Sequence, residues 1–190
     1  EINGKQILQK HPAGKKYANL LENQKKYPVF IDDNNKILSM PPIINSEETG
    51  KISEQTKSVF IECSGSDLKI LQKTLNIIVT VLADMGGSIC QMQIKGDKSM
   101  ITPDLSPEKI KISLENVNKL LGLKLKEAEL SVLLAKMGHN YKKEIVEVPS
   151  WRTDILHEVD IIEDIAIAYG YNNFKPEIPN ISTIGQESKE

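Results

Sequence analysis

The feature of this sequence that most constrains its fold is a long amphipathic segment, residues 67–85. Large apolar side chains recur there at helical spacing and form one stripe: Leu68, Leu71, Leu75, Ile78, Val79 and Leu82. Such a stripe predicts a helix with one face in a core, and two glycines at 86 and 87 end it. We expect this to be the longest helix of the chain.

Strand patterns surround this helix. Four segments are predicted as strands: residues 27–31, 36–40, 57–63 and 88–94. The first two flank a turn-rich tetrapeptide and predict a hairpin. Pro41 and Pro42 are expected to end its pairing, because proline has no N–H to give to a sheet. A short helix over residues 16–21 precedes the hairpin, and the order of elements predicts an α+β unit.

A second unit is predicted after a polar linker at residues 96–103. It holds a short strand at Ile110 and Ile112, and Ser113 is a plausible helix cap. Three helices are predicted, at 114–121, 126–137 and 157–169, with two short strands near 140 and 145–149 between the last two. This order resembles a winged-helix arrangement. Residues 176–190 are predicted to be a loose tail.

The last predicted helix begins with an acidic cluster. Asp160, Glu163 and Asp164 stand at i, i+3 and i+4, which places three carboxylates on one helical face. Asp154 lies six residues earlier. A cation would relieve the repulsion among these groups, and oxygen ligands favour Mg2+. The alternative is a helix start whose acidic residues complement the macrodipole without any ion.

Composition excludes several classes of protein. The formal net charge is -2 and the pI is about 6.0, which argues against a broad basic surface but leaves room for a local basic patch. No apolar run is long enough to span a bilayer, and no signal peptide opens the chain. Cys63 and Cys90 have neither metal-site spacing nor a disulfide framework, so we expect the cytosol. Because the sequence starts at Glu1 rather than Met, we expect an excised fragment or a processed chain.

Two sets of motifs resemble one family. YPVFID (27–32), LSMPPIINSE (38–47) and IECSGSD (61–67) resemble the editing domain of phenylalanine–tRNA ligase β subunits of the archaeal and eukaryotic cytosolic type. VPSWRTDI (148–155), EVDIIED (158–164) and YGY (169–171) resemble the small domain that follows it. The resemblance covers nearly the whole chain up to about residue 176, with both sets in the family's order.

This resemblance implies a division of labour. The enzyme would be an α2β2 assembly, in which the α subunit joins phenylalanine to tRNA(Phe) with ATP and Mg2+. The β subunit would remove tyrosine wrongly attached to that tRNA. Residues 1–95 would be the later part of the editing domain and 104–175 the small domain, so the chain alone would not aminoacylate.

The resemblance also implies site residues. The family's metal-binding carboxylates, in a site shared with the α subunit, fall on Asp154, Asp160, Glu163 and Asp164, the last being Glu in many relatives. Where the family has Asp-x-Thr-Gly, this chain has Glu62, Cys63, Ser64 and Gly65.

Editing must distinguish tyrosine from phenylalanine by one hydroxyl, which requires polar partners. The candidates are Glu62, Ser64 and Ser39. If residues 59–63 form a strand, Glu62 and Ser64 point to one face, where they could bind the tyrosyl hydroxyl or orient a water. Residues 64–67 serve equally well as a turn and helix cap, and Cys63 is expected to be a small core residue.

A second hypothesis is a non-catalytic, winged-helix-like module for binding or assembly. The charges on the presumed recognition helix discriminate between its partners. Lys124, Lys126 and Lys136 are offset by Glu127 and Glu129, which disfavours base reading. Docking against protein is therefore expected instead.

Overall fold

The computed structural model describes residues 2–96 and 99–176. The chain divides after Leu71 into two compact units, residues 1–71 and 72–190. The predicted loose tail lies outside the described residues beyond Pro176. No helix in the described ranges combines the length and apolar character needed to cross a membrane.

The first unit opens with two short helices, α1 (Gly4–Lys10) and α2 (Pro12–Tyr17), followed by a 3-10 turn at Ala18–Leu20. The sequence predicted only a helix at 16–21. His11 joins α1 to α2, and its Nδ1 accepts a hydrogen bond from the Ala13 N–H at 3.2 Å. Because proline and glycine inside α2 are typical of loops, helical spacing alone did not reveal this corner.

A three-stranded antiparallel sheet follows in the order β1 (Phe30–Ile31), β2 (Ile37–Met40) and β3 (Ile44–Asn45). The predicted hairpin is confirmed, and the Asp32 carboxylate fixes its turn by accepting the N–H groups of Asn34 and Lys36. These backbone hydrogen bonds, that of Lys36 first, lower the pKa of Asp32.

One strand prediction in this unit is wrong. Strand β2 does end at Met40, directly before the two prolines, and the chain turns there so that β3 pairs with β2. Residues 57–63, all described, are in no sheet. Strand propensity supplies no partner strand, and the packed core of this unit lies elsewhere: Leu8, Leu21, Met40 and Ile43.

The long helix is confirmed as α3 (Leu68–Asp84). The Asp67 carboxylate accepts the N–H groups of Lys69 and Ile70 at its start. Of its residues, Asn76 and Val79 are buried, whereas Leu68, Ile78 and Leu82 in the predicted stripe are exposed. The stripe therefore marked the helix correctly without marking a fully buried face.

A two-stranded antiparallel sheet follows α3, made of β4 (Met92–Ile94) and β5 (Met100–Thr102). Part of the segment predicted as a linker is thus a strand. The domain limits at 95 and 104 remain predictions.

The rest of the second unit contains β6 (Glu108–Lys111), α4 (Leu114–Leu121), α5 (Glu127–Lys136), β7 (Asn140–Lys142), β8 (Ile145–Val148) and α6 (Glu158–Tyr169). The strands form an antiparallel sheet in the order β6-β8-β7. Ser113 caps α4 as predicted, and Gly122 ends it at φ +66°. The α+β class is confirmed.

Helix α6 packs into the largest core of this unit through Ile161, Ile162 and Ile165. Its Glu158 carboxylate also accepts the Ser113 N–H at 2.7 Å and the Asn116 amide at 2.8 Å. Of the apolar stripe that helical spacing predicts here, Ile155, Ile162 and Ala166 are buried, whereas Val159 is 51% exposed.

Candidate functional site

The first unit holds a cavity of about 340 Å³. Two segments of the chain line it: the loop after β2 with strand β3, and two of the predicted editing residues. Its lining consists of Pro41, Pro42, Ile43, Ile44, Asn45, Glu62 and Ser64. This volume lies within the range of small-molecule sites, about 300–1,000 Å³.

Glu62 and Ser64 meet in this cavity. The Ser64 hydroxyl donates a hydrogen bond to Oε1 of Glu62. The strand that would have aligned them does not form, but both residues line the same cavity. Glu62 is half-buried and Ser64 is exposed. A carboxylate has further lone pairs, so Glu62 can accept a second donor from a ligand or a water.

Ser39, the third predicted editing residue, does not line the cavity. It is buried in β2 and lies directly opposite Asn45 of β3 in the antiparallel ladder. Asn45 itself lines the cavity, although it is not among the predicted editing residues. The signal available was its place in the motif that follows the two prolines.

Cys63, between the two cavity residues, is partly buried and forms no disulfide. Burial, aided by the charge of Glu62, raises the pKa of its thiol. A raised pKa keeps the sulfur protonated at neutral pH, and the thiolate is the nucleophilic form. Cys63 is therefore not an activated nucleophile.

The acidic residues of the second unit surround a cation supplied by the chain itself. Arg152 donates to Asp154 from Nε and Nη2, at 2.9 and 2.6 Å, and to Asp164 at 2.9–3.1 Å. The hydrogen bonds to Asp154, then those to Asp164, raise the pKa of Arg152, and Arg152 lowers the pKa of Asp154. The two carboxylates already have a counterion.

Asp164 has a further partner. It is buried, and its Oδ2 lies 2.6 Å from Nε2 of His139, a fully buried side chain. His139 comes directly after the turn at Gly138 and directly before β7, so this contact joins the start of the β7–β8 hairpin to α6. Nothing in the spacing of the sequence indicates that this histidine pairs with an acidic residue 25 positions away.

The other two predicted ligands are occupied differently. The Asp160 carboxylate accepts the backbone N–H groups of Leu156 and His157, at 2.8 and 2.7 Å, and so caps α6. Glu163 is exposed on the same helix. No group of three or more His, Cys, Asp or Glu side chains within residues 2–96 and 99–176 is arranged to hold a metal ion. As folded, these four carboxylates do not fit a shared Mg2+.

Residues 110–171 match the family model described as the tRNA synthetase B5 domain. This range, called the B5 unit below, begins in β6 and extends past α6, and it contains α4, α5, α6 and the acidic cluster.

The chain as a whole is similar to one segment of phenylalanine–tRNA ligase β subunits, which confirms the resemblance. It is 41% identical to that of Pyrococcus furiosus over 98% of this chain and 34% of the relative. It is 40% identical to that of Methanococcus aeolicus over 96% and 34%. The chain thus spans about a third of the length of these curated relatives.

A solved structure supports the same relationship. It is an N-terminal fragment of the phenylalanyl-tRNA synthetase β subunit from Pyrococcus horikoshii, with a TM-score of 0.84 and 40% identity. The match covers 90% of this chain and 50% of that one.

Proposed function

We propose that this chain is a segment of a phenylalanine–tRNA ligase β subunit and that the cavity at Glu62 removes tyrosine from mischarged tRNA(Phe). The observation that carries the proposal is the hydrogen-bonded Glu62–Ser64 pair on one wall of a cavity sized for an amino-acid side chain. The similarity to β subunits over nearly the whole chain supports it.

The cavity has the chemistry needed to select tyrosine. Ile43, Ile44 and the prolines offer apolar contact for an aromatic ring. Glu62 can accept the phenolic hydroxyl, a partner that phenylalanine lacks. A site built to bind a hydroxyl discriminates strongly, because a ligand without it leaves the carboxylate unpaired.

Hydrolysis of the ester needs a positioned water rather than a protein nucleophile. The water oxygen attacks the acyl carbon, the bond to the ribose oxygen breaks, and that oxygen leaves as a hydroxyl carrying a proton that the water gives up. The Asn45 amide, which also lines the cavity, can donate to the carbonyl as charge develops on it. Its position makes it an additional candidate beside Glu62, Ser64 and Ser39.

The proposal is tested by measuring the rate of tyrosyl-tRNA(Phe) deacylation by full-length β subunit assembled with α. We expect Glu62→Ala and Asn45→Ala each to reduce the rate about 100-fold. Glu54→Ala, an exposed carboxylate of the same unit, is the matched control and should leave it unchanged. Undiminished deacylation by both cavity variants would reject the site.

ATP-dependent charging belongs, in this proposal, to the assembled α2β2 enzyme in the cytoplasm. The B5 unit supports an assembly role through exposed apolar side chains at and on α6: Leu156, Val159 and Ile167, 46–79% exposed. These side chains suit contact with protein rather than nucleic acid. The alternative function, a non-catalytic binding or assembly module, rests on the same surface, and it predicts that cavity variants leave all activities unchanged.

Mg2+ at Asp154, Asp160, Glu163 and Asp164 remains a prediction implied by the resemblance. An ion there would have to displace Arg152 from two of its four ligands. The test is the thermal midpoint of the chain with and without Mg2+. A rise that disappears in Glu163→Gln would support the ion, and identical midpoints would leave Arg152 as the cation of this cluster.

A further inference from the structure

A basic segment opens the first unit. Residues 2–27, here called the lysine segment, carry one acidic residue, Glu22, whereas the whole chain has a net charge of -2. Its six lysines are all exposed: Lys5, Lys10, Lys15, Lys16, Lys25 and Lys26. Clustered like charges of this kind attract polyanions.

The charge of this segment is not neutralised within the described residues. Five lysines elsewhere in the described residues form ion pairs: Lys36–Glu48, Lys51–Glu47, Lys73–Glu108, Lys109–Glu147 and Lys111–Glu144. None of the six lysines of the segment forms an ion pair with a described carboxylate. The Nζ of Lys16 instead lies 5.1 Å from the ring centre of Tyr17, which is 39% exposed.

The segment is held in a fixed shape. A Cβ on Gly14 would lie 1.9 Å from the carbonyl oxygen of Ile7, so α1 and α2 touch backbone to backbone at this glycine. Leu8 and Leu21 are buried against Met40 and Ile43. The lysines are therefore displayed on an ordered corner rather than on a loose chain.

This corner is joined to the cavity. Ile43 packs in the core beneath the lysine segment and also lines the cavity with its neighbours from Pro41 to Asn45. One short stretch of chain thus supports both features. A ligand held on the lysines would be placed by the same scaffold that shapes the cavity.

We propose that the lysine segment binds the phosphate backbone of an RNA whose ester-bearing end enters the cavity. This rests on the proposed function, which supplies an RNA ester as substrate. Lysine is a compact point charge suited to phosphate contacts without sequence readout. An exposed tyrosine beside a lysine adds a surface on which an unpaired base can stack.

The test measures binding of labelled tRNA(Phe) to the 190-residue chain by fluorescence anisotropy across a range of NaCl concentrations. We expect the triple variant Lys10→Gln, Lys15→Gln, Lys16→Gln to bind about tenfold or more weakly at low salt. The logarithm of the association constant falls linearly as the logarithm of the NaCl concentration rises. The slope of this line should become shallower by about two to three, or roughly one for each phosphate that a lysine no longer neutralises.

The matched control removes the same charge from paired lysines: Lys51→Gln, Lys109→Gln, Lys111→Gln. It should keep the wild-type slope. A second variant, Lys5→Gln, Lys25→Gln, Lys26→Gln, repeats the test on the remaining lysines, and thermal unfolding verifies that each variant folds. Equal weakening in the control, or an unchanged slope in both lysine-segment variants, would overturn the proposal, as would binding to phosphatidylserine vesicles without binding to RNA.

Hydrolysis of tyrosyl-adenosine, which has no phosphate backbone, separates this inference from the proposed function. If the chain binds RNA through the lysines but does not cleave this ester, the phosphate contacts of the lysine segment stand and the editing function fails. If cleavage depends on Glu62 while RNA binding ignores the lysines, the inference fails and the function stands.

Discussion

At the scale of single residues, Arg152 decides what the acidic cluster does. It lies between Asp154 and buried Asp164, and its side chain is 21% exposed. The spacing of the sequence predicts that the carboxylates lie near one another. It does not show that Arg152, two residues before Asp154, forms ion pairs with two of them. A buried carboxylate without its counterion is costly, so this contact is central to the stability of the B5 unit.

We predict that Arg152→Ala lowers the free energy of unfolding by about 3 kcal/mol or more, because Asp164 then stays buried with His139 as its only described side-chain partner. Urea unfolding followed by circular dichroism measures this. Lys111→Ala, which removes an exposed ion pair with Glu144, is the control and should cost less than about 1 kcal/mol. Equal destabilisation by the two variants would contradict the account.

The same contact predicts a dependence on pH. Because Arg152 lowers the pKa of Asp154 in the folded chain, ionised Asp154 stabilises the fold above its unfolded pKa, about 3.9. That contribution is lost as the pH falls through the lower, folded value.

The stability difference between wild type and Asp154→Asn should therefore shrink as the pH falls from about 5 to 2. Since the Asp154 side chain is 61% exposed, solvent screening should keep this difference within about 1 kcal/mol. Urea unfolding at each pH measures it, and a difference that does not vary with pH would rule out the ion pair.

At the scale of elements, α6 shows that an acidic residue at a helix start can be a cap as well as a candidate metal ligand. Its start is fixed by Asp160, which accepts two backbone N–H groups that would otherwise lack partners. Its inward face carries the core of the B5 unit. Acidic spacing along a helix therefore indicates a cap as readily as a ligand, and only the loop geometry separates the two.

We predict that Asp160→Ala destabilises the chain by about 1 kcal/mol through the loss of this cap. Glu163→Ala, an exposed carboxylate on the same helix, is the matched control and should change stability by no more than about 0.5 kcal/mol. Thermal unfolding in EDTA isolates the cap from any ion. If both substitutions cost the same, the cap is not what Asp160 contributes.

At the scale of the whole molecule, the sequence predicted the ends of three helices correctly but did not predict several contacts between residues distant in the chain. The ends of α4, α5 and α6 agree with prediction within two residues, because caps and glycines act locally. Residues 57–63 have the composition of a strand but no strand to pair with. The corner at Gly14 depends on a contact with Ile7 that the spacing of the sequence does not reveal. The cavity combines residues about twenty positions apart, so only the resemblance of the motifs to a known family identified Glu62 and Ser64 as candidate site residues.

The central claim is that Glu62 lets the cavity recognise the hydroxyl of tyrosine. The most direct test compares hydrolysis of tyrosyl-tRNA(Phe) and phenylalanyl-tRNA(Phe) by the assembled enzyme carrying Glu62 or Glu62→Gln. We predict that the wild type strongly prefers the tyrosyl ester and that the preference falls at least about tenfold in Glu62→Gln, because a neutral amide accepts the phenol less well. An unchanged preference would contradict the account.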